Sequence, residues 1–274
     1  MILNYINWNP NPEIINILGL SIRYYGVLFA TGLIIAISVL KWIFNRENIP
    51  LKNLDKLTIY GMIGILAGAR LGHCLFYEPA YYLSHPIEMI LPINFSPSGG
   101  IQFTGYQGLA SHGGILGLYL ALYFYSRKTK HVMINVIDLI AVVIGISLGF
   151  IRLANFMNSE IIGIPTTNSW GVIFERVDHI PRHPAQLYEA ICYFIIFTVM
   201  ITLYIKIGKR LKNGFFFGLG SILFCTARIL IEFIKENQVG FEDGMKFNMG
   251  QLLSLPFIVI GIGFIIYSFW RTEK

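Results

Sequence analysis

The chain has 274 residues, of which 55% are hydrophobic, 15% aromatic and only 13% charged, with a net charge of +6 and a mean hydropathy of +0.61. A soluble domain carries about a quarter charged residues, so this composition excludes an ordinary water-soluble fold and makes lipid the main solvent. The positive balance does not mark a nucleic-acid binder either, because the basic residues fall between apolar runs and form no patch.

From the start, Met1 to Leu20 contains no Lys or Arg and lacks the basic opening and small-residue cleavage site of a signal peptide. The first hydrophobic segment is therefore expected to be retained as a span. A helix needs about 20 mainly apolar residues to cross the hydrocarbon core. Seven runs are candidates, at 24–44, 57–77, 112–126, 134–157, 185–205, 214–234 and 249–270, the third being short. The expected fold class is an all-α polytopic membrane protein of about seven transmembrane helices, forming one integral membrane domain over 1–274. Residues 78–111 are rich in Tyr, Pro and Gly, and their middle, near 85–91, is expected to hold a short interfacial helix. Residues 157–184 carry turn signals at Ile164-Pro165 and Asn168-Ser169, and the alternation around 170–174 predicts a small extracytoplasmic hairpin. No internal repeat or separate soluble domain is visible.

Basic residues set the orientation. Thirteen of the 21 fall on one face: Lys41, Arg46, Lys52 and Lys56 after the first span, Arg127, Lys128 and Lys130 after the third, Lys206, Lys209, Arg210 and Lys212 after the fifth, and Arg271 and Lys274 at the end. The other face holds five, Arg23, Arg176, Arg182, Lys235 and Lys246. The N-terminus is expected outside and the C-terminus in the cytoplasm.

Three arginines remain, Arg70, Arg152 and Arg228, each in the outer part of a different span. An arginine at a helix centre costs at least about 2.5 kcal/mol on insertion scales. One alone reads as snorkelling or as a structural ion pair, but three leaning toward one side look like an anion site at the outer leaflet. Span two also holds Gly64, Gly68 and Gly72, a four-residue spacing of small residues that admits a close neighbouring helix. The segment Gly149-Phe-Ile-Arg-Leu-Ala-Asn-Phe-Met-Asn-Ser-Glu-Ile-Ile-Gly163 is the most informative. Arg152 and Asn155 are three apart and share a helix face. A guanidinium binds phosphate through two parallel hydrogen bonds and an amide adds a donor. Glu160 is placed to orient the arginine or a substrate hydroxyl.

That segment resembles the signature of the prolipoprotein diacylglyceryl transferase family, Arg-x-(Gly/Ala)-Asn-Phe-x-Asn-x-Glu-x-x-Gly, through Arg152, Ala154, Asn155, Phe156, Asn158, Glu160 and Gly163. Arg23-Tyr-Tyr-Gly26, with Tyr25 in the place of the family's important tyrosine, is similar to its first-span motif. Gly68-Ala-Arg-Leu-Gly72, Ser111-His-Gly-Gly114, His183-Pro-Ala-Gln-Leu-Tyr-Glu189 and Arg228-x-x-x-Glu232 resemble four further motifs, so the likeness covers most of the chain. Ile151, Ile164, Ala185 and the loop Gly105-Tyr-Gln-Gly108 depart from the common pattern.

The resemblance implies transfer of the diacylglyceryl group of phosphatidylglycerol to the thiol of the lipobox cysteine of a prolipoprotein signal peptide, releasing glycerol phosphate at the bacterial inner membrane. The leaving phosphate needs its charge stabilised and the thiol must become a thiolate. Arg152 and Arg228 suit the first demand, with Arg70 a weaker third, because a guanidinium stays charged in a partly dry site. Asn155 and Tyr25 are expected to donate to headgroup oxygens, Gly163 belongs to the same lipid site, and Glu232 is expected to hold Arg228 through an i,i+4 pair. His112 is the first candidate base, with His183, Glu160 or the positive site alone as alternatives. Gln186, Tyr188 and Glu189 either line the site or tie span five to span four. No cofactor is implied. The six histidines show no HExxH or other metal spacing, and Cys74, Cys192 and Cys225, all in apolar segments, show neither a disulfide nor a CxxC pattern. Three rival readings make different predictions. An anion transporter should show repeats and polar residues through the membrane depth; a headgroup transferase would share the arginines without the signature; a scaffold leaves the buried arginines unexplained.

Overall fold

Long apolar runs in lipid must satisfy their backbone groups internally, and helices do so within one segment. The computed structural model describes residues 5–17, 20–91, 93–95, 100–103, 108–237, 242 and 244–270. The departure at Gly105 to Gln107 and the terminal cations Arg271 and Lys274 lie outside the described residues. In chain order the described elements are β1 (Ile6–Trp8), β2 (Glu13–Ile17), β3 (Leu20–Arg23), α1 (Tyr24–Arg46), α2 (Leu51–Phe76), α3 (Pro79–Ser84), α4 (Pro86–Ile90), β4 (Ile93–Phe95), β5 (Ile101–Phe103), α5 (Ser111–Thr129), α6 (Met133–Asn158), β6 (Val172–Phe174), β7 (Pro181–Arg182), α7 (Ala185–Ile207), α8 (Phe215–Glu232) and α9 (Met249–Trp270). The protein is thus a mostly helical, polytopic membrane protein.

All seven expected spans form helices, and six of them, α1, α2, α6, α7, α8 and α9, are long and apolar enough to cross a membrane. The seventh, α5, has 19 residues but opens on Ser-His-Gly-Gly and closes on Ser-Arg-Lys-Thr, which lowers its apolar content. The short helix expected near 85–91 is α4, preceded by α3, and each is begun by a proline whose missing N–H is harmless in a first turn. The expected hairpin is β6 paired antiparallel with β7.

The chain divides into two compact units, residues 44–136 and residues 1–43 with 137–274. In the first, α2 and α5 run antiparallel with their backbones nearly touching. A Cβ at Gly72 would sit 2.8 Å from Gly113 Cα, one at Gly64 would sit 2.6 Å from the Gly117 carbonyl oxygen, and one at Gly117 would collide with the Gly64 carbonyl. The four-residue glycine spacing is therefore a packing stripe. At one end of this pair Asn53 Nδ2 lies 3.0 Å from His131 Nε2, and the Ala110 N–H donates to the Ala69 carbonyl at the other.

In the second unit, β1 lies parallel to β6, with Trp8 opposite Phe174, and completes a three-stranded cap with β7. Ile162, Val172 and Phe174 form its small core, with Trp8 and Phe156 packed against them. The Trp8 indole donates to the Phe156 carbonyl at 2.9 Å, so the cap is fastened to the last turn of α6. Farther along, Asp138 of α6 accepts the N–H groups of Gly214 and Phe217 at 2.5 and 2.8 Å. It thereby satisfies two of the orphan donors at the start of α8.

Candidate active site

The residues from Arg152 to Asn158 form the last two turns of α6, and the chain then turns sharply. Ser159 and Ile161 both take left-handed backbone angles, with φ of 56° and 57°. For β-branched Ile161 this is a strained conformation. It is held by Glu160 N–H donating to the Asn155 carbonyl at 3.0 Å and by Gln186 Nε2 donating to the Glu160 carbonyl at 2.5 Å. The turn folds the Glu160 carboxylate back over the helix end, where Asn155 and Asn158 each donate to one of its oxygens at 3.0 Å.

Arg152 is anchored from two sides. Its Nη1 donates to Asn155 Oδ1 at 3.1 Å, which makes the i,i+3 pair expected from sequence. Its Nε lies 2.8 Å from Glu189 Oε2 on α7, a carboxylate with no exposed surface. That contact is misaligned for a hydrogen bond, so charge attraction in a dry environment carries it. Gln186 and Glu189 therefore tie α7 to α6, one of the two tasks open at the sequence level. Tyr25, at the start of α1, lies in the electrostatic field of both Glu160 and Arg152.

The expected pairing of Glu232 with Arg228 does not form. Glu232 accepts instead from Lys235 Nζ at 3.0 Å, and that ammonium also stands 3.6 Å from Glu189 Oε1. Lys235 follows the end of α8 by three residues and folds back over it, while the Arg228 side of α8 is exposed. No ion pair or hydrogen bond engages Arg228 among the described residues, and both it and Arg152 lie within electrostatic reach of the Tyr193 hydroxyl. Lys235, an ordinary loop cation by sequence, is thus a buried member of the cluster. No local spacing signals this, since Lys235 lies beyond the last residue of α8.

Gly163 has a packing reason to be glycine. A Cβ there would meet the His183 carbonyl oxygen at 2.5 Å and the Ile234 carbonyl oxygen at 2.7 Å. Its carbonyl accepts from Arg182 Nη1 at 3.2 Å, another contact that sequence reasoning missed. Arg182 also donates to Asp178 Oδ2 through Nε and Nη2, at 2.9 and 2.6 Å, and pairs with Glu236 at 3.2 Å. This hydrogen bonding holds the Asp178 carboxyl below the usual carboxylate range and raises Arg182 further. His183 Nδ1 lies 3.1 Å from the Tyr188 hydroxyl, which accepts from the Trp170 indole at 2.9 Å.

His112 and Arg70 belong to the unit of α2 and α5. His112 is exposed on the first turn of α5. The Arg70 guanidinium is engaged with the end of α4, donating to the Glu88 and Met89 carbonyls at 2.6 and 3.2 Å and lying 4.8 Å above the Tyr82 ring. Cations stabilise exposed carbonyls at a helix end, so Arg70 has a structural task in fastening α4.

Taken together, the fold and the cluster define a polytopic helical membrane protein with a polar, arginine-centred cluster where α6 and α8 end and α7 begins. Residues 12–267 match the prolipoprotein diacylglyceryl transferase family. The phosphatidylglycerol–prolipoprotein diacylglyceryl transferase of Bacteroides fragilis is 57% identical, covering 96% of this chain and 95% of its own length. The protein of that name in Tolumonas auensis is 43% identical over 95% of this chain and 96% of its own, and the one in Chloroherpeton thalassium 40% identical over 98% and 97%. The chain belongs to the prolipoprotein diacylglyceryl transferase family and is a transferase of lipoprotein biosynthesis.

Proposed function

We propose that this chain forms, as one integral domain of the bacterial inner membrane with its N-terminus outside, the thioether between a prolipoprotein cysteine and the diacylglyceryl group of phosphatidylglycerol. The cysteine sulfur attacks the glyceryl carbon that carries the phosphate. The carbon–oxygen bond breaks, its electron pair leaves on the phosphate oxygen, and glycerol phosphate departs while the thiol proton passes to a base. Arg152 and Arg228 bind the phosphate, with Arg70, already engaged at α4, the weakest of the three. Asn155 and Tyr25 donate to headgroup oxygens. Glu160, Gln186, Glu189, Glu232 and Gly163 shape the lipid site around them. His112 takes the thiol proton, since its imidazole is exposed on the first turn of α5 and carries a nitrogen that can accept one.

The observation that carries this reading is the partly buried guanidinium of Arg152, held at Nε by the fully buried Glu189 and at Nη1 by Asn155. A cation oriented before substrate arrives needs no reorganisation as charge develops on the leaving group. Purified protein incubated with phosphatidylglycerol and a lipobox peptide should yield a peptide heavier by one diacylglyceryl group in mass spectrometry. An unmodified peptide, with lipid and protein both intact, would refute the assignment.

A further inference from the structure

Lys235 is linked to both ends of the 152–163 segment, to Gly163 directly and to Arg152 through Glu189. Its ammonium, with a side chain only 4% exposed, sits between Glu232 at 3.0 Å and Glu189 at 3.6 Å, and Glu189 in turn meets Arg152 at 2.8 Å. Its backbone forms a bridge with Gly163. On either side of that bridge, Ile164 N–H donates to the Ile234 carbonyl at 3.0 Å and Glu236 N–H to the Ile162 carbonyl at 3.1 Å. The stretch after α8 thus pairs with the loop after α6 through an isolated antiparallel bridge. We propose that Lys235 is a positioning residue for the transfer reaction, fixing Arg152 through Glu189 and Gly163 through its own backbone.

The electrostatics give the side chain a purpose beyond packing. Glu189 is fully buried, and an isolated carboxylate there would carry a large desolvation penalty. If Arg152 alone neutralised it, the guanidinium would be closely compensated and would offer less charge to a phosphate. Lys235 shares that carboxylate and Glu232 takes up the rest of the lysine charge, so Glu189 orients Arg152 without quenching it. The other charged groups facing the cluster are Glu160, joined to Arg152 through Asn155, and Arg228, within reach of Tyr193 beside Arg152. Removing the ammonium leaves two buried carboxylates next to one guanidinium, and like charges so close take up a proton.

The proposal rests on the transfer activity proposed above, and one set of variants tests both separately. Wild type, Lys235→Arg and Lys235→Met are reconstituted with phosphatidylglycerol and lipobox peptide. Lys235→Arg should stay within about threefold of wild type. Lys235→Met should lose at least about tenfold in kcat, with the KM for phosphatidylglycerol within about threefold, the pattern of an interaction realised in the transition state. Infrared spectra of the same samples should show a protonated-carboxyl band at neutral pH in Lys235→Met, absent from wild type and lost in Lys235→Met combined with Glu232→Gln or Glu189→Gln. A folded Lys235→Met enzyme with wild-type kcat and no such band overturns the proposal, as does a folded Lys235→Arg enzyme as slow as Lys235→Met. A wild-type enzyme that makes no adduct defeats the transfer reading instead, and the infrared band then decides the role of Lys235 alone.

Discussion

At the scale of single residues, the question is why an arginine and not another cation stands at position 152. Its Nε and Nη1 are used in different directions, toward Glu189 and Asn155, which a guanidinium fork can do while keeping further N–H groups for a ligand. A lysine has one nitrogen at the end of a flexible stem and cannot serve two fixed acceptors and a phosphate together. Arg152→Lys and Arg152→Ala are both expected to lower transfer by at least about a hundredfold, comparable to the loss of a preorganised charge-stabilising donor, while membrane insertion and detergent-extracted yield stay near wild type. Near-normal rates from Arg152→Lys would show that charge alone suffices. His112 is the proposed proton acceptor. His112→Gln keeps a similar shape and a hydrogen-bonding group, so a rate loss of at least about a hundredfold at neutral pH, in the range of general base catalysis, is the expected result in reconstituted membranes. An unchanged rate would pass the role to another group.

At the scale of elements, two features make separate predictions. The stripe between α2 and α5 has no room for side chains, since a Cβ at Gly117 collides with the Gly64 backbone, whereas a Cβ at Gly61 meets only Leu118 at 3.9 Å. Gly117→Val should therefore destabilise the protein by about 1–3 kcal/mol or more, as overpacked interiors do, and lower its thermal midpoint in detergent. Gly61→Ala, which also favours the helix, should leave that midpoint unchanged or raised. The strand cap depends on Arg182 and Asp178. Because the Asp178 carboxyl is held low by Arg182, its contribution is present above the ordinary carboxylate range and is lost as pH falls through the depressed value. Loosening of the cap, followed by fluorescence of Trp8 and Trp170, is expected only below about pH 4, and Asp178→Asn should loosen it at neutral pH. These elements also mark what the sequence could convey. The helices, the hairpin of β6 and β7 and the Arg152–Asn155 neighbours follow from local periodicity, which single segments carry. The parallel pairing of β1 with β6 joins residues over 160 positions apart in the chain. The capture of Glu232 by Lys235 rather than Arg228 depends on how the chain folds back after α8. Neither is written in any local pattern.

For the whole molecule, orientation turns on α5. The clusters at Lys41–Lys56, Arg127–Lys130 and Lys206–Lys212 share one side only if α5 crosses the membrane, although it is less apolar than the six other long helices. Its packing supplies the reason it can cross. Nineteen helical residues span about 28 Å, close to the roughly 30 Å hydrocarbon core. They lie antiparallel along α2, from Gly72 against Gly113 to Tyr60 against Tyr125. The glycines that lower its hydropathy are packed against α2, and its outward positions are Ile115, Leu116, Tyr119, Leu120, Tyr123 and Phe124, all exposed to the surroundings. A helix packed along one long and apolar enough to span, and whose free face is apolar, is expected to traverse the same depth. With the native cysteines replaced, a single cysteine at Lys128 should react with an impermeant maleimide only after the membrane is opened, whereas one at Asn9 or Glu175 should react in intact spheroplasts. Labelling of the Lys128 position from outside would place α5 in the interface rather than across it, and would reverse the side assigned to every basic cluster that follows.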